Sequence, residues 1–248
     1  MFSEHSCCGG FGMPIGSETA FVMERLSRRV TVVGAFMKTA VVFDCEFLTS
    51  EGAQRRFWCG PFDPDPVIAQ IGAVKLSLEG SFELIDTIKV HINPVDRYGD
   101  SYKLDPFFSK LTGITQEMID SEGISLQEVN EQLNAFADGA TLWSWGKDEL
   151  NMMAISCYIA GIQPSIPAHQ FDNACKLMLA AGMPYEDIKR TRSNDLADYF
   201  ELEHPPLRGH DALDDALSVA YVIQHLLRNK RLSPAEFERG GVELEGLA

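Results

Sequence analysis

The chain has 248 residues, 45% of them hydrophobic, and its cysteines Cys7, Cys8, Cys45, Cys59, Cys157 and Cys175 show neither a C-x-x-C pair nor regular spacing. This is enough apolar material for one large core, and it excludes a disordered chain and a disulfide-stapled or zinc-held scaffold; scattered thiols imply a reducing cytoplasm. A formal net charge of −15 excludes broad electrostatic capture of a polyanion, and no apolar run reaches membrane-spanning length.

Residues 1–36 read as an appendage: Gly, Ser and Cys dominate its start, only residues 18–29 carry helical character, and Met37 stands as an alternative start just ahead of the first strong strand pattern. Residues 39–47 (TAVVFDCEF) have the apolar run of a buried strand, followed by a long loop over 48–66. Strands over 67–78 and 82–92, joined by the turn Glu79-Gly80-Ser81, complete a meander. Helical pieces follow around 105–111 and 116–119, then a helix over 125–137 opened by the capping box Ser125/Glu128. A fourth strand over 141–145 leads into a helix over 147–160 closed by Gly161, and a short strand over 169–171 into a helix over 173–181. The last helices cover 194–200, capped by Ser193, and 212–227, with an apolar face of Ala212, Ala216, Val219, Ala220, Ile223 and Leu227. Residues 231–248 form an acidic tail, leaving 37–230 as the folded domain. Three consecutive strands, then alternating helices and strands, predict an α/β sheet with helices on its faces.

The chemistry-bearing residues fall at the ends of these elements. Asp44 and Glu46 are two apart on a strand, so both carboxylates turn to one face and Cys45 to the other. Two buried like charges are costly unless a hard cation joins them, although an isolated Asp-x-Glu more often describes solvated carboxylates beyond a strand end. Asp148 follows a strand that stops at Gly146 and opens a helix, where a carboxylate complements the helix dipole and also sits at the sheet edge that ligands favour. In His210-Asp211-Ala212-Leu213-Asp214-Asp215, Asp211 suits the N-cap and Asp214 the third helical position, whereas Asp215 lies about 40° from Val219, at the border of the buried stripe. His210 precedes the helix on loop backbone, and its side chain titrates near working pH.

The order Asp44-x-Glu46, Asp148, His210-x(4)-Asp215 resembles the DEDDh branch of the DnaQ-like 3′-to-5′ exonucleases, from about Lys38 to Arg228. Gln70-Ile71-Gly72-Ala73-Val74 and Leu111-Thr112-Gly113-Ile114-Thr115 resemble family segments in order and spacing, and Trp145-Gly146-x-Asp148 is more similar to ERI-like and KapD-like RNA-trimming members than to proofreading subunits. The resemblance implies an RNase H-like mixed sheet, a three-stranded antiparallel meander followed by parallel strands and flanked by helices. It also implies two divalent cations, Mg²⁺ or Mn²⁺, on Asp44, Glu46, Asp148 and Asp215, with His210 as general base. Phe47 and Leu111 match positions that flank the terminal base. The expected reaction is release of nucleoside 5′-monophosphates from the 3′ end of single-stranded nucleic acid, RNA slightly favoured over DNA.

Two departures bear on substrate. Gln70 stands where many relatives have Glu, and the 48–66 loop, with Arg55, Arg56, Phe57 and Trp58, is longer than the family's usual connection. Such a loop suits a lid with phosphate and base contacts, or a segment anchored on the protein's own surface. Two other readings stay open: a non-catalytic binding or assembly module of the same fold, and a phosphodiesterase for very short oligonucleotides, which the weak basic footprint would suit.

Overall fold

The computed structural model describes residues 38–238. The expected appendage over 1–36 and the end of the acidic tail lie outside them.

Strand β1 (Thr39–Phe47) is the centre of a five-stranded sheet of order β3-β2-β1-β4-β5. It pairs antiparallel with β2 (Ile68–Ser77), which pairs antiparallel with β3 (Leu84–His91). On its other edge β1 runs parallel to β4 (Leu142–Ser144), and β4 to β5 (Phe171–Asn173). The mixed sheet is therefore the predicted one, a meander followed by parallel strands. Strand β5 begins where the predicted short strand was to end, because residues 168–170 close into a 3-10 turn first.

The eight α-helices of the described residues are α1 (Pro106–Thr112), α2 (Gln116–Glu122), α3 (Leu126–Ala137), α4 (Asp148–Ala160), α5 (Ala174–Ala180), α6 (Tyr185–Ile188), α7 (Leu196–Tyr199) and α8 (Ala212–Arg228). The capping box of α3 forms as read, and Asn173 and Asp211 cap α5 and α8 through their side chains. Ser193 caps nothing: it opens a 3-10 turn that precedes α7.

Alternation along β1 divides the interior. Ala40 and Val42, with Val74, Leu76 and Trp143, pack under α5, α7 and α8 against Leu177, Leu196, Val219 and Ile223. Val41, Phe43 and Cys45, with Ile71, Ala73 and Leu142, pack under α3 and α4 against Val129, Leu133, Met152 and Met153. Side chains buried on this scale contribute about 1.5–3 kcal/mol each, so the two layers fix where β1 ends. The first part of the predicted tail joins this core: Leu232 and Phe237 are buried, the latter with its ring 5.4 Å from that of Trp143. A capped 3-10 turn over Pro234–Phe237 returns the chain to the sheet, a contact without helical periodicity to announce it.

Candidate active site

The period of two that sends Ala40 and Val42 toward α8 sends Asp44 and Glu46 the same way, at the C-terminal end of the central strand. Register then sets their neighbours: Asp44 lies opposite Gly72 and Glu46 opposite Gln70, before a bulge shifts Phe47 opposite Ile68. On α8, Asp215 falls in the buried stripe with Ala216 and Val219 rather than at its border.

Four carboxylates are buried here: Asp44 8%, Glu46 8%, Glu149 7% and Asp215 5% exposed. Burial holds Asp44 well above the usual carboxylate range, and the charges of Glu149, Asp215 and Glu46 add to it. Burial lifts Glu46 to about 8, with Asp215 and Asp211 reinforcing the shift and Arg208 opposing it. Asp215 and Glu149 both rise to about 7, again chiefly through burial. Asp215 Oδ1 and Glu149 Oε2 have no hydrogen-bond partner among the described residues. Ligand atoms of Glu46, His210 and Asp215 all lie within 4.8 Å of one another. Buried acceptors without donors, crowded at like charge, are the donor chemistry of hard divalent cations, which bind oxygen ligands and remove the repulsion.

His210 is half-buried with a left-handed backbone, φ 60°. Burial lowers its pKa from the ordinary value, aided by Arg192 and Arg208 and opposed by Asp195. The shift favours the neutral imidazole, the form that can accept a proton.

The fourth predicted acid lies differently. Asp148 lines the same cavity as Asp44, Glu46, His210 and Asp215 but is exposed to solvent, while its neighbour Glu149 is the buried group whose charge bears on Asp44. Successive helical residues are turned by 100°, so only one of two adjacent acids can face β1. Sequence reasoning passed over Glu149, although it is in phase with the buried residues Met152, Met153, Ser156 and Cys157 of α4, at the i+3, i+4, i+7 and i+8 positions that define one helix face. Asp148 is out of that phase.

A second set of polar contacts holds the start of α8. Gln70 Oε1 accepts the Ala212 N–H at 2.9 Å, so the amide nitrogen faces His91 Nε2, also at 2.9 Å. That ring nitrogen must accept, which puts the ring proton on Nδ1, 2.9 Å from Glu122 Oε2. Asp211 accepts from the Leu213 N–H and pairs with Lys89. Gly72 is required at this contact: a Cβ there would lie 2.1 Å from the Leu213 nitrogen. Asp214 accepts the Arg208 N–H at 2.9 Å and so fixes the loop before His210.

The cavity holds about 640 Å³ and is lined by the acids and His210 together with Phe47, Leu111, Phe107 and Phe108. Phe47 and Leu111 thus both face it. The 48–66 loop forms part of the wall through Thr49, Ser50, Glu51, Gly52, Gln54 and Arg55, and beyond them anchored and exposed side chains are interleaved. Trp58 donates its indole N–H to the Leu48 carbonyl at 3.0 Å and lies 5.6 Å from the Phe47 ring, and Arg56 pairs with Asp63. Phe57 and Phe62 are 83% and 95% exposed.

Comparison with known proteins gives a family and a fold. The family model RNase_T, described as exonuclease, matches residues 41–223. Among curated proteins none matches the chain. The nuclease domain of 3′hExo, a DEDDh family member bound to rAMP, superposes with a TM-score of 0.63 at 18% identity, covering 79% of this chain and 94% of that one. Cell-death related nuclease 4 gives 0.59 at 18% identity, over 78% of this chain and 64% of that one. The E. coli exonuclease I complex with single-stranded DNA gives 0.53 at 16% identity, over 78% of this chain and 41% of that one. At these identities the likeness is one of fold.

Proposed function

Because the chain belongs to the RNase_T family of exonucleases, we propose that it is a 3′-to-5′ exonuclease of the DEDDh type in which Asp44, Glu46, Glu149 and Asp215 hold two divalent cations, Mg²⁺ or Mn²⁺, beside His210. One observation carries this reading: four buried carboxylates, two with unpartnered oxygens, meet next to a half-buried imidazole. Asp148 is then an exposed charge at the rim.

Bound cations would activate the attacking water and offset charge on the leaving 3′ oxygen. His210 takes the proton of that water as its oxygen bonds to phosphorus. The bond from phosphorus to the 3′ oxygen breaks and that oxygen takes a proton from solvent, leaving a nucleoside 5′-monophosphate and a strand one residue shorter with a 3′-hydroxyl, while His210 returns its proton to solvent. Phe47 and Leu111 bracket the terminal base, and the cavity volume suits one nucleotide more than a duplex end. Single-stranded RNA is favoured as substrate over DNA, in line with the rAMP held by 3′hExo. The unpaired state of Cys45, Cys59, Cys157 and Cys175 suits a reducing, cytoplasmic setting.

The test uses matched 5′-labelled RNA and DNA single strands of about twenty nucleotides with Mg²⁺ or Mn²⁺. A ladder that shortens from the 3′ end, is silenced by EDTA, is blocked by a 3′-phosphate and is absent for Asp44→Asn supports the reading. Undiminished activity of Asp44→Asn, or shortening from the 5′ end, overturns it. The net charge of −15 favours a second reading, action on very short oligonucleotides, and a length series from dinucleotide upward separates the two.

A further inference from the structure

An acidic chain with an acidic site still has to hold a polyanion. Among the described arginines four are engaged elsewhere: Arg56 pairs with Asp63 and Arg97 with Asp65, while Arg228 and Arg231 donate to the carbonyls of Ser81 and Ala181. The side chains of Arg55, Arg192 and Arg208 have no polar partner among the described residues, and all three belong to segments that build the cavity. Arg190, also without one, lines a separate smaller cavity.

Each of the three has a pinned backbone and a guanidinium left unpaired. Arg55 lines the cavity from a 3-10 turn over Gln54–Arg56 that the Arg56–Asp63 pair closes. Arg192 lines it too, and the preceding residue is tied to the end of β4 by the Trp145 indole, which donates to the Thr191 carbonyl at 3.1 Å. Arg208 is fixed through its N–H to Asp214, and its guanidinium lies over Gly113, where a Cβ would come within 1.9 Å of it. The charges of Arg192 and Arg208 both reach His210, and that of Arg208 reaches Glu46. A planar fork on a fixed backbone is the geometry that grips phosphate oxygens two at a time, and it loses little freedom in doing so.

We propose that Arg55, Arg192 and Arg208 form a phosphate collar around the acidic floor: Arg192 and Arg208 take the phosphodiester beside His210, and Arg55 takes the next one toward the 5′ end. The inference rests on the nuclease reading for its substrate, a single strand with at least two phosphodiesters, but its measurement does not depend on turnover.

Binding of a 5′-labelled single strand of about ten nucleotides to His210→Ala protein is followed by fluorescence anisotropy as a function of salt. Arg55→Ala, Arg192→Ala and Arg208→Ala are each introduced into this background, with Arg97→Ala as the control. Each collar substitution should weaken binding about tenfold and reduce the slope of log K against log salt by about 1, as for the loss of one phosphate contact, and Arg97→Ala should do neither. Arg55→Ala should spare a dinucleotide and a nucleoside 5′-monophosphate, which present no phosphate at its position. Melting curves matching the parent exclude misfolding, and Arg→Lys at each position, which keeps the charge but not the fork, should recover part of the affinity. Unchanged affinity and slope in correctly folded collar variants overturn the proposal. If the wild type bound through these arginines yet degraded nothing, the nuclease reading would fall and the collar would stand.

Discussion

Two polar regions meet at the start of α8, and they are built on opposite principles. Rows of the same sheet face connect them: Glu46 of β1 lies opposite Gln70 and Gln70 opposite His91, while Asp44 lies opposite Gly72 and Gly72 opposite Lys89. On the β2 and β3 side every contact is matched, Gln70 to Ala212 and His91, His91 to Glu122, Asp211 to Lys89. On the β1 and β4 side four acids crowd together with buried oxygens left without donors. A satisfied network rigidifies, whereas an unsatisfied one is a debt that only a ligand removes. The matched half positions the helix from which the unmatched half takes Asp215 and, one residue before the cap, His210.

The largest effect expected from this contrast separates two adjacent acids. Glu149→Gln should lower kcat by about 10²–10⁴-fold, the range for loss of an essential group, while Asp148→Asn stays within about twofold of the wild type. Equal losses in a single-turnover assay would return the role to Asp148.

A second expectation concerns pH in the absence of divalent cations. Asp44, Glu46, Glu149 and Asp215 have folded pKa values raised above their unfolded ones, so between about pH 4 and pH 8 the native state binds more protons than the unfolded state. Stability from these groups is therefore present at the acid end and lost as pH rises. In EDTA the melting temperature should fall from pH 5 to pH 8 by on the order of 5 °C, and Mn²⁺ should restore it. Asp44→Asn should flatten the profile; a melting temperature that rises over this interval would contradict the account of the cluster.

Substitution in the matched half should act with the opposite sign. Gln70→Met strands the Ala212 N–H and His91, a cost of about 1–3 kcal/mol by denaturant titration, and Gln70→Glu, which keeps the acceptor for Ala212 but not the donor for His91, should recover only part of it. If Gln70→Met proved neutral, the dock would not be what holds α8. Lys89→Met is the mildest test. With Lys89 about a third exposed, its pairing with Asp211 is worth less than about 1 kcal/mol, and a double-mutant cycle with Asp211→Asn would measure it.

Much of this was legible in the sequence. The alternation of residues 39–47 placed Asp44 and Glu46 on one face, and the Asp211 cap with the stripe of Ala216, Val219 and Ile223 located α8. Sequence reading singled out Asp148, the first acid after Gly146; the phase of the following apolar residues marks Glu149 as the buried one. Ser193 and Phe237 lie in 3-10 turns and Leu232 in a bend, all too short to show a period, and the Gln70–His91–Glu122 chain depends on strand pairing that no local pattern reports.

The parallel pairing of β1 with β4 has a consequence for biosynthesis. These strands are joined across about a hundred residues of chain, and α8 must still arrive afterwards to supply the last acid and the imidazole. On the proposed reading, ribosome-bound intermediates that have extruded the sheet but not this helix would carry three of the acids and cut nothing, so nuclease action would begin only once the helix has emerged.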